Sequence, residues 1–318
     1  RVHMAHIGHP ILGDTVYGHK KPELGQSRQC LHAGALCFTH PRTGLPVMVF
    51  APLPDYFTDI IREELNVKCV TFSDDGIHWE EPVVTLDLSE ANTWENNLNR
   101  NCVIPDPKGD GYLMWYTGQW WDEKGGSSKI GLARSEDGIH FTRCGKEPVM
   151  VPEADFEGAS VMNPFVMYED GRFRMWYAAG ETYEPNVICY AESEDGIHWE
   201  KYAQNPIFSC NPEKDYEQNR IGACQVLREE GGYLMFYIGY RDIQTACICA
   251  ARSKDGITGW ERVPENPLVM PTPGTWDEHS CYKPTVIRAE DGTYRLWYNG
   301  RSNGNEVIGY AHCKVSKA

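Results

Sequence analysis

The chain has 318 residues, a formal net charge of −15, 41% hydrophobic and 12% aromatic residues. That length and apolar content suffice for one large β-rich core plus an appendage, and the absence of an 18-residue apolar run excludes a transmembrane helix and argues against a membrane partner. Residues 1–66 balance at six acidic and six basic side chains, so the remainder carries the whole negative excess, which repels polyanions and argues against nucleic acid as its partner.

The first segment stands apart from the rest. It holds six of the eleven histidines and reads Arg1-Val-His-Met-Ala-His-Ile-Gly-His-Pro10, then Leu31-His-Ala-Gly-Ala-Leu-Cys-Phe-Thr-His-Pro-Arg-Thr-Gly44, then Ala51-Pro-Leu-Pro54. Strands are expected near Ala33–Thr39 and Pro46–Ala51 around a Pro41-Arg-Thr-Gly44 turn. His3, His6 and His9 have a spacing that could hold zinc, but no fourth ligand or cysteine pair accompanies them, so no metal is expected. These three motifs, in this order and spacing, resemble the C-terminal end of the catalytic domain of RluA/RluD-type RNA pseudouridine synthases. The resemblance implies that Arg1 matches an arginine that pairs with the catalytic aspartate. The aspartate motif itself is absent, so the segment reads as a remnant without synthase activity.

From residue 67 onward the chain repeats with a period of about 60 residues. Ser73-Asp-Asp-Gly-Ile-His-Trp79 returns as Ser135-Glu-Asp-Gly-Ile-His-Phe141, Ser193-Glu-Asp-Gly-Ile-His-Trp199 and Ser253-Lys-Asp-Gly-Ile-Thr-Gly-Trp260. About 20 residues before each later turn, or its equivalent, lies an aromatic run of period two: Tyr112-Leu-Met-Trp-Tyr116, Phe173-Arg-Met-Trp-Tyr177, Tyr233-Leu-Met-Phe-Tyr237 and Tyr294-Arg-Leu-Trp-Tyr298. Asp-Gly or Gly-Gly turns precede these runs, and short apolar strands flank them. Each unit therefore predicts a four-stranded antiparallel meander, and radial repetition of such meanders predicts an all-β propeller. Only four inner strands are visible, beginning at Asn99, Val161, Asn219 and Ser280, and the first two strands of the leading unit are missing before Val67. The expected domains are residues 1–66, a small α+β appendage, and residues 67–318, the propeller.

The turns, Met162-Asn-Pro164 and the Met-Trp-Tyr strands resemble the five-bladed propellers of glycoside hydrolase families 43, 32 and 130. The resemblance implies a sugar site at one mouth of the central channel, with an oligosaccharide or glycoside as partner and no cofactor. Polar residues on inner strands, where a closed core favours Val or Ile, are Arg100, Asn101, Asn163, Arg220 and Lys283; they read either as a hydrated, salt-bridged channel or as a binding pocket. Trp120 and Trp121 offer flat faces to a sugar ring, and Arg301 ends a second strand. Glycoside cleavage uses two carboxylates. Asp155, Asp215 and Asp277 read as one repeated, structural position, whereas Glu181, Asp242 and Glu95 read as unrepeated candidates. Glu181 suits the acid of the resembled families, while their first-blade base falls in the missing stretch. A propeller that binds sugar without catalysis, and a truncated pseudouridine synthase, remain open. The cysteines, as at Cys102, Cys189, Cys224, Cys247 and Cys249, sit inside strands as buried hydrophobes, which points to a reducing, cytoplasmic setting.

Overall fold

The computed structural model describes residues 2–6, 35–39, 46–50, positions 11, 14, 16, 17 and 31, and residues 68–88, 94–122, 125–182 and 185–314. The chain divides into two compact units, Arg1–Asn66 and Val67–Ala318. In the first, α1 (Val2–His6) precedes an antiparallel hairpin of β1 (Ala35–Thr39) and β2 (Pro46–Phe50), paired from Ala35↔Phe50 to Thr39↔Pro46. The strands fall where the sequence places them, while the Pro41–Gly44 turn, His3 and His9 side chains, and Arg1 lie outside the described residues.

The second unit is a propeller of antiparallel sheets. It opens with a two-stranded sheet, β3 (Lys68–Val70) and β4 (Val83–Leu86). Blade A comprises β5 (Asn97–Pro105), β6 (Tyr112–Asp122), β7 (Gly125–Ser135) and β8 (Thr142–Arg143). Blade B comprises β9 (Ser160–Glu169), β10 (Arg172–Gly180), β11 (Pro185–Ser193) and β12 (Glu200–Lys201), with β13 (Phe208–Ser209) added to β11. Blade C comprises β14 (Arg220–Glu229), β15 (Gly232–Tyr240), β16 (Ala246–Ser253) and β17 (Glu261–Arg262). Blade D comprises β18 (Ser280–Arg288), β19 (Thr293–Ser302) and β20 (Asn305–Lys314). Single parallel pairings, Ser128↔Ser160 and Ala246↔Ser280, stitch A to B and C to D.

The period-two aromatic strands explain the core. On β6, Leu113 and Trp115 pack with Val161, Met175 and Tyr177 of blade B, while Met114 and Tyr116 pack on the other face with Trp94, Leu98 and Phe141. Trp176, Ile188 and Tyr190 likewise meet Ile221, Met235 and Tyr237 between B and C. Both faces of a blade are covered by neighbours, so these strands are buried continuously rather than alternately. Full burial of such side chains contributes about 2–3 kcal/mol each.

The Asp-Gly-Ile turns lock the blades together. In one, Asp137 Oδ1 accepts the amides of Ile139 and His140 at 2.8 Å, and Ser135 Oγ accepts that of Gly138 at 2.9 Å. Gly138 has φ +76°, a conformation that glycine adopts without strain. The indole of one blade then donates to the turn of the next: Trp115 Nε1 to Gly196 O at 2.8 Å, Trp176 Nε1 to Gly256 O at 2.7 Å, and Trp297 Nε1 to Gly76 O at 2.7 Å. The last of these joins blade D to the β3–β4 sheet.

Candidate functional site

Each inner strand is irregular near its start. The ladder shifts between Asn99 and Asn101 in β5, between Gly222 and Cys224 in β14, and between Tyr282 and Thr285 in β18. In β9 the equivalent residue, Asn163, has φ +54°, and in β18 Lys283 has φ +52°. Arg100, Asn163, Ala223 and Lys283 thus occupy one repeated position. A bulge there re-aims the side chain, and a proline follows both Asn163 and Lys283.

The inner strands touch around the channel through polar contacts. Cys102 Sγ accepts the amide of Val166 at 3.3 Å, joining A to B. Gln225 Nε2 donates to Val286 O at 2.6 Å and its Oε1 accepts Val286 N at 2.7 Å, joining C to D. Arg100 Nη2 donates to Pro284 O at 2.7 Å, joining A to D. Burial pulls the Arg100 pKa down. Asn163 is buried, with its amide donated to Thr117 Oγ1 at 2.8 Å. Asn101 lies in β5 opposite Tyr116.

A cleft of about 480 Å³ opens beside blades A and B, lined by Trp121, Phe156, Gly180, Glu181, Thr182 and Asn186. Glycines shape it. Trp121 lies on Gly126, where a Cβ would come within 2.5 Å of the indole, and Asn186 lies against Gly180. Asn186 Oδ1 accepts the Glu181 amide at 2.9 Å. The Glu181 carboxylate reaches blade C and pairs with Arg220 at 3.1 Å; its side chain is 66% exposed and that of Arg220 is 12% exposed. Arg220 Nε also donates to Asn219 Oδ1 at 2.8 Å.

The other sequence candidates divide between two places. Lys283 and Arg301 share the Tyr282 ring, their charged groups 5.4 and 5.5 Å from its centroid. Arg301 Nη2 donates to Gln244 O at 2.9 Å and Ser280 Oγ at 3.1 Å. Trp120 is 37% exposed in β6. Asp242 turns to its own loop, accepting the amides of Gln244 and Thr245 at 2.8 Å each. Burial raises its pKa, but these bonds and Arg241 outweigh that and leave it lowered. A carboxyl so held is an acceptor rather than a proton donor at neutral pH. No contact among the described residues joins it to Glu181.

The carboxylate repeat differs from the sequence expectation by register. Glu95, Glu157, Glu217 and Asp277 are the equivalent residues, each buried, whereas Asp155 and Asp215 precede two of them by two positions. Tyr177 donates to Glu157 at 2.9 Å, Tyr237 to Glu217 at 2.6 Å and Tyr298 to Asp277 at 3.1 Å. Arg143 pairs with Glu95 at 2.6 Å, Lys201 with Glu157 at 2.7 Å, and Arg262 with Glu217. Glu95 is therefore a blade fastener. Its neighbour Trp94, set against Phe156, Tyr216 and Trp276 one residue before the other three carboxylates, was the signal that would have shown it. Among the described residues no cluster of His, Cys, Asp and Glu is arranged to hold a metal ion, and no helix is long and apolar enough to cross a membrane.

The fold is a β-propeller like those of glycoside hydrolases, and residues 68–208, somewhat under half of the chain, match the glycosyl hydrolases family 32 N-terminal domain. A crystal structure of a thermostable family-43 glycoside hydrolase superposes with a TM-score of 0.62 at 18% identity, over 78% of this chain and 82% of that one. The uncharacterized protein MT1551 of Mycobacterium tuberculosis is 30% identical over 218 residues, which are 64% of this chain and 67% of the relative. The ribosomal large subunit pseudouridine synthase D of Haemophilus influenzae is 44% identical over 74 residues, 20% of this chain and 23% of that protein. The N-terminal resemblance is thus a homology confined to about a fifth of the chain.

Proposed function

We propose that the propeller binds an oligosaccharide in the cleft beside blades A and B, with its rings against Trp121 and Phe156 and its hydroxyls on Glu181, Arg220 and Asn186. The observation that carries this reading is the aromatic-walled cleft of about 480 Å³ ending at the Glu181–Arg220 pair. Flat aromatic faces suit the C–H faces of pyranose or furanose rings, and a small number of fixed polar groups sets orientation. A carboxylate held by a guanidinium accepts hydrogen bonds from sugar hydroxyls. Asp242 bonds to its own turn, so the carboxylate pair required for cleavage is not assembled by these two residues, and binding is favoured over hydrolysis.

The test is calorimetric titration with a panel of neutral oligosaccharides, run beside aryl-glycoside turnover with and without inorganic phosphate. Binding that Trp121→Ala weakens about tenfold, without turnover, is the expected result. Turnover lost in Glu181→Gln would replace binding by hydrolysis or phosphorolysis with Glu181 as the acid. Absence of both binding and turnover across the panel would overturn the carbohydrate reading.

A further inference from the structure

In blades A, B and C the third strand is covered along its outer edge, and the covering follows one pattern. Ala133 of β7 pairs with Arg143 of β8, Ala191 of β11 with Lys201 of β12, and Ala251 of β16 with Arg262 of β17. Each cation reaches the buried carboxylate at the entry of its own blade: Arg143 to Glu95, Lys201 to Glu157 and Arg262 to Glu217. Seven residues after the cation the chain returns to the same edge, where Met150 pairs with Ile130, Phe208 with Ile188 and Val269 with Ile248. In between, the side chains of Asn205 and Asn266 bond to both the amide and the carbonyl of Tyr190 and Ala250, at 2.8 to 2.9 Å.

Blade D has the receiving half of this arrangement alone. β20 is the edge of its sheet, with no strand beyond it among the described residues. Ile308, Tyr310 and Ala311 stand at the positions of Ile248, Ala250 and Ala251, and Ile308 is 74% exposed where the three equivalent isoleucines have no exposed surface. Asp277, the equivalent of the three glutamates, is buried and bonded to Thr275, Tyr298 and Cys281, and among the described residues no cation pairs with it. Trp276 is exposed, whereas its equivalent Trp94 is buried. After β20, Cys313-Lys-Val-Ser316 replaces the Ser-x-Asp-Gly that leads the other blades into their fourth strands. Phe236 of blade C correspondingly replaces the tryptophan that bonds to the next blade's turn in A and B. A buried carboxylate without its cation is costly, and an open strand edge with exposed apolar side chains is a template for another strand.

We propose that the β20 edge of blade D is a docking surface for a basic, extended segment of a partner polypeptide, which adds a strand antiparallel to β20, sets an arginine or lysine opposite Ala311 to pair with Asp277, and places an apolar residue seven positions on against Ile308. Main-chain hydrogen bonds along the edge supply affinity, and Asp277 and Ile308 supply selectivity. The negative charge of residues 67–318 attracts a basic segment. The surface lies in blade D, outside the aromatic cleft of blades A and B, so it stands or falls separately from the binding of oligosaccharides.

The probe is a synthetic peptide with the sequence of residues 258–270, the covering segment of blade C, titrated calorimetrically into the full chain, with sedimentation of the chain alone run beside it. The expected result is saturable binding to a chain that sediments as a monomer. Arg262→Gln in the peptide, a change that leaves the folding of the protein untouched, should weaken binding about thirtyfold or more, the loss expected when one partner of a buried charge pair is removed. Asp277→Asn in the chain should abolish the difference between the two peptides, and Ile308→Lys should weaken binding of both. No binding of the parent peptide, or equal affinity of the arginine and glutamine peptides, would overturn the proposal. Self-association of the chain alone that Ile308→Lys disperses would assign the surface to a second copy and overturn it as well.

Discussion

Glu157 and Glu217 have no exposed surface, yet each meets a tyrosine hydroxyl and one cation from the fourth strand of its own blade. Removing one partner strands the other charge in the interior, so Arg262→Met should destabilise the protein by about 3–5 kcal/mol in urea unfolding. The double variant with Glu217→Gln should recover part of that loss, and no recovery would show that the two residues are not coupled. Burial raises the Glu157 pKa, but Lys201, the amides of Ala154 and Glu153, and Tyr177 outweigh it and leave the group below its ordinary value of 4.5. A depressed folded pKa contributes stability above the ordinary value and loses it as pH falls through the folded value. Urea unfolding from pH 6 to pH 3 should therefore show a shallower acid decline in Glu157→Gln than in the parent; equal slopes would refute the linkage. Trp121→Ala, which removes an aromatic wall of the cleft, should weaken oligosaccharide binding about tenfold while leaving Tm nearly unchanged.

At the scale of the element, a strand and the next blade's turn act as a unit. Trp115, Trp176 and Trp297 each donate an indole N–H to a turn carbonyl, while blade C has Phe236 in the corresponding place. Trp176→Phe keeps most of the packing and leaves the Gly256 carbonyl without its donor, so it should cost about 1–3 kcal/mol, measured by chemical denaturation. Gly196→Ala should cost more than Trp115→Phe, because Gly196 combines φ +78° with a Cβ position only 2.8 Å from the Trp115 ring. The reverse order would mean that the turn relaxes. These strands and turns were legible in the sequence because period-two aromatics and Asp-Gly turns act locally. The bulges at Arg100 and Lys283 were not, because an extra residue in a ladder shows only against its pairing partner.

At the scale of the whole molecule, the charge of −15 falls on one unit, since residues 1–66 are balanced. Self-repulsion of that size destabilises a compact state and is screened by salt. The Tm should rise between about 10 mM and about 150 mM sodium chloride, over which the Debye length falls from about 30 to about 8 Å; a flat profile would show that the buried ion pairs already offset the repulsion. The same field opposes binding of a polyanion, so RNA is expected to bind weakly.

Repeat, blade boundaries and strand type could be read from residue order because each depends on neighbours a few positions apart: the Ser-x-Asp-Gly turn closes on its own amides, and the aromatic strands present two apolar faces by simple alternation. The site could not be read to the same depth. Glu181 finds Arg220 across 39 positions, Asp242 is taken by its own turn, and Trp121 owes its place to Gly126. Such residues acquire their role from partners that only the closed ring brings together, and from a low-dielectric surrounding in which an unmatched charge or an unpaired N–H has a cost it would not have in water.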